Sequence, residues 1–343
     1  MKRINYIDIA RAIAIILIVF GHTIVHNGNS YWLYKCIYSF HVILFFIISG
    51  MVYTEKNNKL RFIKNKFLTI MIPYFIFAIA FLVPYFMFGG DVNSAINSEG
   101  KFNLIDLIKE IIYGVGINGA LKQNTSLWFL PALFSTEVLY LFFIRITRKA
   151  NEIIKFILLL GISYLSTKIN FILPWGINSA LNLMMFFYLG IIINKNKVIE
   201  KISKNRPSSI TITILTIFAL VISQFNRTIS CVNYQYGNYI IFLFTSLVIS
   251  LFVLLLSYKI NNCKPLEIIG TNTLSILIFH KIIILLFQTK IEITKNILLT
   301  GSIYQCVIIS ILITCLSVVI SIVIGSIIKK YFPYLYGKKR SIV

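Results

Sequence analysis

Long apolar runs, each of about twenty residues and separated by short clusters of Lys and Arg, dominate this chain. Ten such runs lie at about 9–25, 37–53, 67–88, 125–144, 154–170, 177–194, 208–224, 238–257, 267–288 and 302–328. A run of that length spans the hydrocarbon core of a bilayer as a helix, because only a helix satisfies all its backbone groups internally. Composition agrees: 58% of the 343 residues are apolar, 13% are charged and the mean hydropathy is +0.84. Those values exclude an ordinary soluble globular domain, a disordered chain and a disulfide scaffold. The net charge of +22 would point to nucleic acid in a soluble protein. Here the basic residues sit between apolar runs and point to a membrane, with no nucleic-acid partner expected. The expected fold is an all-α polytopic membrane protein of about ten transmembrane helices. Met1-Lys2-Arg3 resembles the start of a signal peptide, but Arg11 interrupts the following apolar core and no small-residue cleavage site follows. The first run is therefore read as a retained helix.

Counting charges orients the chain. With ten spans and the N-terminus inside, the inner segments 1–8, 54–66, 145–155, 195–207, 258–266 and 329–343 hold 23 of the 33 Lys and Arg residues. Every inner segment carries at least two, whereas on the other side only the 89–124 loop carries more than two. The positive-inside rule selects N-in and C-in.

No Gly/Ser- or Pro-rich linker divides the chain, so residues 1–343 are expected to form one membrane domain. Within the outer loop 89–124, Leu104, Ile105, Leu107, Ile108, Ile111 and Ile112 repeat at helical spacing, with Asn103 placed as an N-cap and Gly114 and Gly116 ending the run. This helix is too short to span and is expected in the outer interface, preferably filling a groove between spans rather than acting as a lid. Basic clusters at 56–66 and 195–206 are accounted for by topology and anionic-lipid contact. The five cysteines show no metal-like spacing; Cys36 and Cys231 both fall in predicted outer loops, but an odd total without a pattern reads as isolated small residues.

Ionisable groups inside the runs narrow the search, because each costs about 2.5–3.5 kcal/mol in hydrocarbon and marks a paired or water-lined site. They are Arg11, His22, His41, Glu137, His280 and Lys281. Arg11 and His22 are eleven residues apart, which at 100° per residue puts both on one helix face, ~16 Å apart along the axis. Asp8 is the i,i+3 partner of Arg11. One stripe (Asp8, Arg11, Ile15, Ile18, His22) thus crosses most of the membrane, with an anion-holding group at its inner mouth and an acid/base group near its outer end. Its bland counterpart is an arginine snorkelling to headgroups and a histidine in the interface. His41 at the start of the second helix and His280 in the ninth lie at similar depth. A metal site is not expected, because no carboxylate or cysteine at that depth completes a common ligand set. Acid/base chemistry fits better, since a neutral imidazole can take a proton from a hydroxyl. Glu137, inside the fourth helix, reads as a structural pair with Arg11 or another cation, and Lys281 as a snorkelling side chain.

These residues resemble acyltransferase family 3 membrane proteins. Tyr6 through His22, with ten residues between Arg11 and His22, is similar to the first-helix signature of that family. Ser39 through Gly50, Ile72-Pro73-Tyr74, Leu127-Trp128-Phe129-Leu130-Pro131-Ala132, Phe187-Tyr188-Leu189-Gly190 and Ile269 through His280 follow in order. The resemblance implies a membrane O-acyltransferase that moves an acetyl group from cytosolic acetyl-CoA to a sugar hydroxyl of a lipid-linked or cell-surface glycan. Chains without a fused soluble domain look most like the fucose 4-O-acetylase and surface-polysaccharide acetylase branch, so this one is expected to complete the transfer itself or hand the acyl group to a partner. His22 and Arg11 would be catalytic, Arg11, Arg61, Lys64 and Lys66 would meet coenzyme A, and His41, His280, Trp128, Glu137 and Asp8 would bind substrate. Lys64 and Lys66 stand where many members place arginines, and lysine lacks the bidentate fork for phosphate. Acyl-CoA, a carbohydrate acceptor and membrane lipids are the implied partners, without a metal, and the expected location is a bacterial cytoplasmic membrane, Lys-, Asn- and Ile-rich usage suiting an AT-rich bacterial genome. The competing classes are a glycan-intermediate transporter or flippase, and a scaffold subunit, in which Arg11 and His22 would tolerate alanine.

Overall fold

The computed structural model describes residues 5–24, 31–54, 58–87, 104–117, 120–291, 294, 297–298 and 301–337. Among them the regular structure is helical, apart from one isolated bridge between Ser230 and Gln235. The helices are α1 (Asn5–Thr23), α2 (Tyr31–Tyr38), α3 (His41–Met51), α4 (Lys59–Lys66), α5 (Ile72–Ala80), α6 (Leu82–Met87), α7 (Leu104–Tyr113), α8 (Phe129–Ile146), α9 (Glu152–Ser166), α10 (Ile177–Lys195), α11 (Val198–Lys204), α12 (Arg206–Ser223), α13 (Tyr239–Ile260), α14 (Lys264–Thr271), α15 (Thr273–Lys290) and α16 (Ile303–Tyr331). Asparagine starts many of them. Asn58, Asn151, Asn205 and Asn238 each accept a first-turn backbone N–H at the head of α4, α9, α12 and α13, satisfying donors the helix cannot pair.

Among the described residues, eight helical segments are long and apolar enough to cross a membrane, and the bent pair α14–α15 makes a ninth if taken as one broken span. The ten apolar runs map onto these nine and α9. At 15 residues, α9 is only ~22 Å long against a ~30 Å hydrocarbon core. The run at 37–53 belongs to a longer segment, Tyr31–Met51, interrupted at Ser39–Phe40. The run at 67–88 begins earlier, at Lys59, and passes through a π turn at Phe67–Met71 just before Pro73. Proline has no N–H and crowds the carbonyl four residues back, so widening the ladder there removes the conflict.

The chain forms two compact units, Met1–Thr54 with Met185–Ile322, and Glu55–Met184 with Val323–Val343. In the first unit α1 packs against α3, α13, α14 and α15. Ala10, Ala12 and Ala14 are fully buried, and such small side chains let neighbouring backbones approach. The helices α3 and α10 cross through reciprocal glycines: a Cβ on Gly50 would stand 1.8 Å from the Phe187 carbonyl oxygen, and one on Gly190 would stand 1.9 Å from that of Ile47. In contrast, α12 turns Ile210, Ile214, Ile217, Phe218 and Val221 outward, an apolar stripe suited to lipid.

In the second unit α7 packs on α5, with Leu107 and Ile111 buried and the Tyr74 hydroxyl donating to the Ile111 carbonyl at 2.7 Å. Ile105, Ile108 and Ile112 remain exposed on its opposite side. The short helix expected in the 89–124 loop is therefore present and ends at Gly114, while its expected cap, Asn103, lies outside the described residues.

Candidate active site

Both ends of the α1 stripe are partly accessible and its middle is packed. Arg11 donates to the Asp8 carboxylate at 3.2 Å, with side-chain exposures of 30% and 7%. Asp8 is held where α14 crosses α1, since a Cβ on Gly270 would fall 1.9 Å from the Asp8 carbonyl oxygen. Gly270 lies just before the 80° bend that separates α14 from α15. Ile15 and Ile18, at 1% and 7% exposure, close the face between Arg11 and His22. The stripe is therefore two partly accessible ends joined by packed apolar side chains.

At the C-terminal end of α1 three imidazoles converge through a phenol. The rings of His22 and His280 lie 5.4 Å apart, tilted by 31°. The Tyr38 hydroxyl is 3.4 Å from His22 Nδ1, with the two rings perpendicular, and the Tyr38 ring meets His41 edge-on at 4.6 Å. His41 and His280 are buried, at 4% and 0%, whereas His22 is half-buried. His41 Nδ1 lies 2.7 Å from the Ile37 carbonyl, and His280 Nδ1 lies 2.7 Å from that of Ile276. A carbonyl only accepts, so in both rings Nδ1 carries the proton and Nε2 is the acceptor of the neutral form. Depth along the sequence, used alone, anticipated this convergence of His22, His41 and His280.

Tyr38 was not singled out by the sequence. A second span begun at residue 37 leaves out α2, where Tyr31, Tyr34 and Tyr38 repeat at i, i+3 and i+7, three residues before His41. That spacing is the signal that identifies it. In the structure Tyr31 stacks on Tyr34 at 6.3 Å and Tyr34 on Tyr38 at 3.8 Å. Contacts to the end of α12 and the loop after it anchor α2: Lys35 Nζ donates to the Gln224 carbonyl at 2.5 Å, and Gln224 Nε2 to the Trp32 carbonyl at 3.2 Å.

Glu137 and Lys66 pair with each other in the second unit, at 2.8 and 2.7 Å to the two carboxylate oxygens. The cation expected for Glu137 is therefore Lys66, not Arg11, and the Lys66 charge is engaged by that carboxylate and stands 5.5 Å over the Phe62 ring. Arg61 and Lys64 are exposed on α4. Trp128, half-buried, ends a short turn capped by Asn124 and meets Phe129 edge-on at 6.3 Å. None of the five cysteines forms a disulfide, and Cys36 bonds with Ser223 and Gln224 rather than with Cys231. Burial pushes the Cys231 thiol up to about 12, which keeps it protonated and a poor nucleophile. Among the described residues no group of three His, Cys, Asp or Glu side chains has the geometry to hold a metal ion.

Apolar spans, with an Arg–Asp pair and an imidazole–phenol cluster at opposite ends of the first helix, define an all-α, multi-pass membrane protein. Acyltransferase family 3, described by its acyltransferase domain, matches residues 4–326. The chain belongs to that family and is a membrane acyltransferase. No curated protein and no solved structure matches it.

Proposed function

We propose that this protein transfers an acetyl group from acetyl-CoA to a sugar hydroxyl of a lipid-linked or cell-surface glycan in a bacterial cytoplasmic membrane. The observation that carries the reading is the placement of Arg11 and His22 at the two accessible ends of one helix face. Their separation of ~16 Å sorts their roles. Reacting atoms must come within about 3–3.5 Å, so one carbonyl carbon does not meet both. Arg11, already oriented by Asp8, takes an anionic part of coenzyme A. The thioester reacts at the His22 end.

There, His22 takes the proton from the acceptor hydroxyl as its oxygen attacks the thioester carbonyl. The new C–O bond forms, the C–S bond breaks, and the proton passes from the imidazolium to the departing thiolate to give the free thiol. His280 beside His22 and His41 behind Tyr38 serve as acceptor contacts. Because Ile15 and Ile18 close the face between the two ends, the donor's thioester reaches His22 only when that packing parts.

Membrane vesicles supplied with labelled acetyl-CoA test the proposal. Label entering glycan with the wild-type chain and lost in His22→Ala is the expected result. Glycan that moves across the membrane without label would favour the transporter reading, for which the broken α14–α15 span is the supporting feature.

A further inference from the structure

We infer that Tyr38 is a positioning residue for His22, fixing which imidazole nitrogen acts as the base. The inference rests on the reading of His22 as that base. His41 and His280 direct Nδ1 to the carbonyl four residues earlier on their own chain. Nδ1 of His22 instead faces across to the phenol of Tyr38 at 3.4 Å. That distance is long for a hydrogen bond, as such contacts often are before substrate binds. An imidazole abstracts a proton at Nε2 only when Nδ1 holds the other proton. The Tyr38 oxygen accepts that Nδ1–H, the part an aspartate plays in a serine-protease triad.

Three features hold the phenol in place. Tyr34 covers one side of its ring at 3.8 Å and His41 meets it edge-on at 4.6 Å. Tyr34 also shares a hydrogen bond with the Tyr38 hydroxyl, so Tyr38 can donate outward to Tyr34 while accepting from His22. The third feature is Gly21, the residue before His22. A Cβ there would lie 3.0 Å from Tyr38 Cε2 and 3.4 Å from Ile37 Cγ2, so the missing side chain is what lets the ring lie against α1. During transfer the acceptor hydroxyl proton moves to Nε2 and then to the thiolate. The Nδ1 proton stays in place, and Tyr38 stabilises the imidazolium that forms.

The test uses the full chain in proteoliposomes containing a total glycolipid extract, with acetyl-CoA consumption read as release of free thiol. Tyr38→Phe keeps the ring and removes only the oxygen. Its kcat is expected to fall by at least about tenfold, part of the ~10²–10⁴-fold a general base contributes, with the KM for acetyl-CoA changed by less than about threefold. Nitrogen-15 spectra of histidine-labelled protein, assigned by substituting each histidine in turn, are expected to place the His22 proton on Nδ1 in the wild type and to show a mixture in Tyr38→Phe. A wild-type kcat in Tyr38→Phe overturns the inference, as does a wild-type spectrum with the proton on Nε2; that second measurement decides the matter even if the variant does not fold. His22→Ala run in parallel separates the two levels. If it stays active, the base reading itself is wrong. If it is inactive while Tyr38→Phe is fully active, only the role of Tyr38 falls.

Discussion

At the residue scale the two ion pairs carry different consequences. Arg11 is fixed by Asp8 at 3.2 Å and keeps 30% of its side chain accessible, enough to meet a second anion. A lysine there keeps the charge and loses the planar fork. Arg11→Lys is therefore expected to raise the KM for acetyl-CoA about tenfold or more, with a smaller change in kcat, read from donor titrations. The Lys66–Glu137 pair is asymmetric in burial, at 32% and 5%. Removing the lysine strands a carboxylate in the interior, whereas removing the carboxylate leaves a lysine that reaches solvent. Breaking a fully buried pair costs about 3–5 kcal/mol, and the exposure of Lys66 reduces this to about 2 kcal/mol for Lys66→Met. Glu137→Gln is expected to cost less, and thermal unfolding in detergent compares the two. Cys231, protonated and buried, is expected to be dispensable: Cys231→Ala should retain acyl transfer in the thiol-release assay.

At the element scale, helix contacts depend on where side chains are absent. The α3–α10 crossing leaves no room for a methyl group at Gly50 or Gly190, and overpacking of this kind costs about 1–3 kcal/mol. Gly161 on α9 has nothing within 4 Å of its would-be Cβ, so alanine there is expected to be neutral or stabilising by up to about 1 kcal/mol. Melting temperatures of Gly50→Ala, Gly190→Ala and Gly161→Ala test that ordering directly. Gly50 and Gly190 were visible as motif members, but their reason, a backbone-to-backbone crossing, appears only when the two helices are placed together. The same holds for α2. Its tyrosines are spaced for one helix face, yet hydropathy places the membrane boundary after most of them, because a phenol-rich turn scores as interface.

At the scale of the whole molecule, the charge distribution predicts an N-in and C-in orientation. A green fluorescent protein fused after Val343 is expected to fluoresce, and alkaline phosphatase at the same place to be inactive; the reverse pattern would invert the orientation. With that orientation, the Arg11 end of α1 faces the cytosolic donor and the His22 cluster faces the exterior, as the proposed transfer requires. The packed Ile15 and Ile18 between them keep the two sides apart in this state.

What the sequence by itself determined is what depends on periodicity and solvent: an all-helical membrane fold, the helices that carry charge, and the common face of Arg11 and His22. Those follow from the 3.6-residue repeat and from the cost of polar groups in hydrocarbon. Tertiary structure alone decided the partners. Glu137 met Lys66 instead of Arg11, the Arg11–His22 face closed at Ile15 and Ile18, and Tyr38 arrived between His22 and His41. Each is a contact between segments distant in the chain, or a packing around them, and local spacing holds no information on which helix lies beside which.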